Sequence, residues 1–129
     1  MKALALDLGT TYVGVAVSDP EGKIALPREV LSGQTTKQLL AYVTKLANTE
    51  GVAVVLVGRP LSLRGSILPM TERADTFANA LRRAGLEVVL VDERLSTSHA
   101  QRLTLPGKRV DASAAALLLQ TYLDSHGRV

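Results

Sequence analysis

The chain has 129 residues, 47% of them hydrophobic and 21% charged, a length and balance expected of one soluble domain, 1–129, around a single core. Its longest apolar runs, such as Val52 to Val57, are too short to span a bilayer, and Asp7 interrupts the N-terminal apolar residues before a signal-peptide core forms, so no membrane partner and a cytoplasmic location are expected. Zero cysteines exclude disulfides and thiolate zinc sites, and with two histidines any metal site is built mainly of oxygen ligands, which suits magnesium or manganese.

Leu4 to Leu8, Tyr12 to Ser18 and Ile24 to Val30 read as three strands joined by the tight turns Gly9-Thr10-Thr11 and Asp19-Pro20-Glu21-Gly22, an antiparallel meander. After the polar break Ser32-Gly33-Gln34-Thr35, the residues Leu39, Leu40, Val43, Leu46 and Ala47 recur at helical spacing and stop before Gly51. Val52 to Val57 is continuous and β-branched, as in a strand buried on both faces, and should be central and parallel to the first strand.

Gly58 to Ser66 reads as a loop, Pro69 to Ala84 as a second helix closed by Gly85, and Glu87 to Asp92 as a fifth strand. Ser96 is a suitable N-cap for a third helix to about Leu105, broken by Pro106-Gly107, and the last helix runs from Asp111 to about Ser125. The expected fold is α/β: a mixed five-stranded sheet with helices on both faces.

Asp7 places a charge at the end of a buried strand beside a glycine turn. Removing a carboxylate from water is costly unless it is paired, hydrogen-bonded or bound to metal, and capping the turn is the plain alternative. In an open sheet, ligands bind beyond the carboxyl ends of the parallel strands. Asp7 ends the first strand and Asp92-Glu93 the fifth, so with the fourth strand between them these acids share one sheet edge. Asp111 precedes Ala112-Ser113-Ala114-Ala115-Ala116, small residues that let a helix approach the sheet closely, although an N-cap alone would also explain it. Like charges gathered at one site are most economically neutralised by a divalent cation. The strand period of 2 puts Asp92 and Glu93 on opposite faces, and spacing alone does not choose between them. Carboxylate-held magnesium or manganese beside basic residues suits phosphodiester hydrolysis.

The net charge of +3 and a pI near 9.5 point to an anionic partner. Between Glu93 and Asp111 there is no acid, while Arg94, Arg102, Lys108 and Arg109 lie there, and Arg59 and Arg64 sit in an earlier acid-free loop. These are candidate phosphate contacts, the alternative being ordinary solvated arginines. An aromatic content of 3% argues against a base-stacking platform.

Four ordered segments carry a resemblance: Asp7-Leu8-Gly9 with Gly14-Val15-Ala16-Val17-Ser18-Asp19; Val57-Gly58-Arg59-Pro60-Leu61 with Gly65; Asp92-Glu93-Arg94-Leu95-Ser96-Thr97; and Asp111-Ala112-Ser113-Ala114-Ala115 with Leu119-Gln120-Thr121-Tyr122-Leu123-Asp124. Over these the chain resembles the YqgF/RuvX family, Holliday-junction-resolvase-like proteins also described as candidate pre-16S rRNA nucleases. The resemblance implies a ribonuclease H-like fold with sheet order 3-2-1-4-5, its second strand antiparallel. It further implies a metal-dependent hydrolase that processes the 5′ end of pre-16S rRNA during ribosome biogenesis. The implied acidic triad falls on Asp7, Glu93 and Asp111, holding Mg2+ or Mn2+, and favours Glu93 over Asp92. The chain departs from the family at Thr11-Tyr12, where a Lys-Arg pair is usual, and at Arg59, where a leucine is usual. Arg59 is a candidate replacement for the missing basic charge.

Other readings stay open. Resemblance to a resolvase supports branched DNA as substrate, and symmetric cleavage of a junction calls for a homodimer. The fold can also serve a non-catalytic nucleic-acid-binding ribosome-assembly factor. Asp7-Leu8-Gly9-Thr10-Thr11 is similar to the first phosphate motif of actin and sugar-kinase ATPases, but those close two such domains around the nucleotide; ATP-dependent thermal stabilisation would support that alternative.

Overall fold

The central strand of the sheet is β1, Ala3–Leu8, and each of its residues is buried. Its alternation decides what packs on each face. Leu4, Leu6 and Leu8 enter one apolar cluster while Ala3 and Ala5 enter another, because successive side chains of a strand leave on opposite faces. Alanines on one face let a helix lie close to the backbone there. Asp7 has the parity of Ala3 and Ala5 and leaves the sheet on the alanine side.

The structure, a computed structural model, describes residues 1–95 and 111–126. From β1 the chain returns in β2, Tyr12–Ser18, antiparallel, with Asp7 opposite Gly14. The turn out of β2 is organised by Asp19, whose Oδ1 accepts the Lys23 and Ile24 N–H groups at 2.7 and 2.8 Å. The Ile24 and Lys23 amides hold that carboxyl below its ordinary value. The edge strand β3, Ala25–Ser32, extends two residues beyond the expected Val30, because pairing with β2 continues to Tyr12 opposite Ser32.

Helix α1, Thr36–Glu50, starts at a capping box between Thr35 and Gln38 and stops at Gly51 with φ +67°. Strand β4, Val54–Arg59, begins later than the sequence predicts, since the Val52 N–H is taken by the Ala47 carbonyl and the Ala53 N–H by the Lys2 carbonyl. At its other end it absorbs Gly58 and Arg59, which the sequence assigns to a loop. Helix α2, Pro69–Arg83, has proline in its first turn. Strand β5, Val88–Asp92, runs into one turn of 3-10 helix, Glu93–Leu95. The last helix, α3, spans Asp111–His126. The helix expected from Ser96 to Leu105 and its break at Pro106-Gly107 lie outside the described residues.

The sheet order is β3-β2-β1-β4-β5, with β2 antiparallel to both neighbours and β4 parallel to β1 and β5, as the resemblance implied. On one face α1 and α2 bring Leu39, Val43, Phe77 and Leu81 against the leucine side of β1. On the other, α3 lays Ala115, Leu118, Leu119 and Leu123 on the alanine side. Gln120 sets α3 along its axis: its Oε1 accepts the Ala25 N–H and its Nε2 donates to the Lys23 carbonyl, both at 2.9 Å. Among the described residues no helix is long and apolar enough to cross a membrane.

One ion-pair cluster ties the edge strand to α1. Arg28, the extra residue where β2–β3 pairing shifts between Val15 and Ala16, donates to both Glu50 oxygens at 2.7 Å, and Lys2 Nζ lies 3.2 Å from the same carboxylate. The Arg28 guanidinium, aided by Lys2, lowers the Glu50 carboxyl from 4.5 to about 2. A depressed carboxyl contributes stability that is fully present above its unfolded value and lost as pH falls through its folded value. Glu50→Gln should therefore flatten the fall in melting temperature on acidification from pH 4.5 toward about 2. A variant whose acid limb matches wild type in a pH series of thermal melts contradicts this assignment.

Candidate active site

Strands β1, β4 and β5 run parallel, so their carboxyl ends open on one edge of the sheet. Leu6 is level with Val57, which brings Asp7 level with Gly58, and Arg59 is level with Asp92, the residue before Glu93. Asp7 and Gly58 continue the parity of Ala5 and Leu56, on the face covered by α3. Asp7 and Glu93 are buried, at 3% and 4% exposure, although both are acids. Buried carboxylates of this kind are ordinarily paired, hydrogen-bonded or set against a cation.

Glycines make the room. Asp7 has Gly14 beside it on β2 and Gly58 on β4, neither with a side chain to fill that face. The Glu93 carboxylate occupies the space above Gly58: a Cβ built at 58 would lie 2.5 Å from Oε2 and 3.1 Å from Cδ. The missing side chain at Gly58 is what lets Glu93, from beyond β5, reach across β4 toward the strand that carries Asp7. The sequence gives no direct signal of this role, beyond a glycine closing a β-branched run.

Asp92 takes the other course. It has the parity of Leu90, which packs on the α1–α2 side, and its carboxylate accepts the Arg94 backbone N–H at 2.9 Å and the Arg94 Nη2 at 2.8 Å. The Arg94 guanidinium holds the Asp92 carboxyl below its ordinary range. Glu93 is thus the buried member of the pair. Asp111 is the first residue of α3, the helix laid on the Asp7 face, and its side chain lies outside the described residues. Among the described residues no group of three or more His, Cys, Asp and Glu side chains forms a metal-sized cluster.

The expected basic contacts are divided. Arg59 donates from Nε and Nη2 to the two Asp75 oxygens at 2.8 and 3.0 Å, so its fork is engaged with α2. Arg94 is engaged with Asp92. Arg64 is exposed in the loop after β4, which is closed by a Leu61–Ile67 bridge and by the Ser62 N–H donating to the Ser66 carbonyl at 3.0 Å. The Arg94 guanidinium lies beside Gly65, where an added Cβ would come 3.3 Å from Nη1. Lys108 and Arg109 lie outside the described residues. Thr11 and Tyr12, where the family's basic pair would stand, are exposed.

A further cation escapes sequence reasoning. Arg73 on α2 donates from Nη1 to the Gly9 carbonyl at 2.6 Å, reaching the turn that follows Asp7 and Leu8. Nothing in the local spacing of α2 signals a contact 64 residues away. Chemically, two buried carboxylates facing a space lined by glycines, in a chain without cysteine, are the oxygen donor set a hard divalent cation takes.

The sequence profile of the RuvX family, described as Holliday junction resolvase, matches residues 1–125. A relative from Pelotomaculum thermopropionicum, named as a candidate pre-16S rRNA nuclease, is 36% identical over 99% of this chain and 90% of its own length. Another from Geobacillus kaustophilus, named likewise, is 39% identical over 97% of this chain and 99% of its own. Among solved structures, RuvC of Thermus thermophilus aligns with a TM-score of 0.63 over 98% of this chain and 97% of RuvC, at 18% identity, a likeness of fold. With the ribonuclease H-like sheet of the RuvC resolvases and a profile match over nearly its whole length, the chain belongs to the RuvX family.

Proposed function

We propose that the chain is a divalent-metal-dependent endonuclease that hydrolyses phosphodiester bonds at the 5′ end of pre-16S rRNA, work that would be done in the cytoplasm. The observation that carries this reading is the pair of buried carboxylates, Asp7 and Glu93, at the carboxyl ends of parallel strands with Gly58 between them. Asp111, at the start of the helix on that face, is the third acid of the set. When bound by these residues, Mg2+ or Mn2+ supplies the positive charge that phosphoryl transfer to water needs. The part of Asp7 and Glu93 is to hold that charge in place, and their burial keeps it from being screened. In the reaction a water oxygen gives up a proton to solvent and bonds to phosphorus as the bond to the leaving oxygen breaks, and the leaving oxygen takes up a proton from solvent.

Arg59, Arg64 and Arg94 border this edge, and with Lys108 and Arg109 they are the proposed phosphate contacts. Each contact made should steepen the salt dependence of binding by about 0.7–0.9 in log–log slope. Arg64→Ala should flatten the slope by about that amount. Arg59→Ala should flatten it as well if Arg59 stands in for the basic pair replaced by Thr11-Tyr12. An unchanged slope assigns Arg59 to Asp75 alone.

The names of the two relatives favour RNA. The family's description as a resolvase favours a second reading, branched DNA, which would call for a homodimer to place two symmetric cuts. End-labelled pre-16S rRNA, a four-way DNA junction and single strands should be incubated with the protein in magnesium, in manganese and in chelator. Cleavage of the RNA precursor that stops in chelator supports the proposal, and preferential junction cleavage supports the second reading. Binding of RNA without cleavage in any metal identifies an assembly factor instead.

A further inference from the structure

Helix α2 meets the active edge three times, from the face opposite α3. Arg73 donates to the Gly9 carbonyl at 2.6 Å, Thr71 Oγ1 donates to the Pro60 carbonyl, and Asp75 accepts both arms of Arg59 at 2.8 and 3.0 Å. Gly9 follows the β1 end that carries Asp7, and Arg59 and Pro60 follow Gly58, over which Glu93 lies. Less than two turns of one helix, from Thr71 to Asp75, therefore touch the backbone or side chains at the ends of both strands that frame the acids.

The β1–β2 turn is closed at its base by one backbone hydrogen bond. The Gly9 N–H donates to the Tyr12 carbonyl at 2.8 Å, and a Cβ at Gly9 would come 2.7 Å from that same oxygen. Outside, Thr10, Thr11 and Tyr12 are exposed, so the turn is supported from beneath. There Arg73 shares a cavity of about 310 Å³ with Leu8, Thr36, Leu39, Glu72 and Phe77. Its bond to Gly9 is charge-assisted and partly buried, the stronger kind of hydrogen bond.

We infer that Arg73 is a positioning residue for Asp7: by holding the Gly9 carbonyl it fixes the turn that aims the Asp7 carboxylate at the space shared with Glu93. The inference rests on the metal reading above. A divalent site needs its ligands held within about 0.5 Å, and loss of the supporting groups behind ligands typically weakens metal affinity about 10–100-fold.

The test is a titration of the metal-free protein with Mn2+, followed by electron paramagnetic resonance, for wild type, Arg73→Ala, Arg73→Lys and Asp7→Asn, with thermal melts of each. Arg73→Ala should raise the Mn2+ Kd about 10-fold, and Arg73→Lys, which keeps a cationic donor, should recover part of the loss. A role in stability alone would lower the melting temperature and leave Kd unchanged. Wild-type affinity in Arg73→Ala, with affinity lost in Asp7→Asn, overturns the positioning role and leaves the metal site intact. Wild-type affinity in Asp7→Asn overturns the metal reading and this inference together. If Arg73→Ala does not fold, Arg73→Met, which keeps the apolar stem and removes the donor, decides: a raised Mn2+ Kd supports the role, and a wild-type Kd overturns it.

Discussion

Asp7→Asn is expected to lower the cleavage rate on the order of 10³-fold, and Glu93→Gln by a similar factor, with thermal melts still cooperative. Each substitution keeps the shape and size of the side chain and removes one negative charge from a buried position, 3% exposed for Asp7 and 4% for Glu93. A solvated surface acid could lose its charge with little consequence. An acid that holds a cation at the reacting phosphate cannot, because the cation is then held less firmly where negative charge develops as the phosphorus is attacked. The measurement is single-turnover cleavage of labelled RNA precursor at saturating Mg2+. A loss below about 10-fold in both variants contradicts the roles given to these acids.

Gly58→Ala is expected to separate activity from stability. The added methyl would stand 2.5 Å from Glu93 Oε2 and 3.2 Å from its Cγ, so the Glu93 side chain must move. What moves is the far end of a flexible side chain and not backbone, and alanine suits a strand at least as well as glycine, so stability should change by no more than about 1 kcal/mol. Cleavage should fall about 10²-fold, the effect of misplacing a catalytic group by roughly 1 Å. Equal rates in Gly58→Ala and wild type would mean that the position of Glu93 over Gly58 is not used in the chemistry. A large drop in melting temperature would instead make Gly58 a packing residue.

Much of the fold was legible because period and punctuation agree along the chain. Ala and Leu alternate through β1, and the spacing of Leu39, Val43 and Ala47 ends at Gly51, so both elements fall where the pattern puts them. The boundaries that moved did so for tertiary reasons. Val52 and Ala53 give their N–H groups to Ala47 and Lys2 and so join β4 late, while Gly58 and Arg59 stay in the ladder because β5 offers Val91 and Asp92 as partners.

At the site, strand parity alone separates Asp92 from Glu93, and the resemblance to the family chose the one that the structure buries. Arg59 shows the opposite case. From sequence it is an unpaired cation in an acid-free loop, yet α2 presents Asp75 to it 16 residues later, a pairing that depends on how the helix is rotated against the sheet. Arg73 and Gly58 were illegible for the same reason: each acts on a partner distant in the chain, Gly9 and Glu93, and only the assembled sheet edge brings them together.

On the proposed mechanism, Asp7 and Glu93 act as one unit on a shared divalent ion. A double-mutant cycle on the rate of RNA-precursor cleavage, with Asp7→Asn, Glu93→Gln and the double variant assayed across Mg2+ concentrations, tests it most directly. Groups that act as a unit are grossly non-additive, so the double variant should retain the same residual rate as either single variant, and none should respond to Mg2+ over the range that activates wild type. Losses that multiply in the double variant, or cleavage that persists in chelator, would contradict a shared metal site.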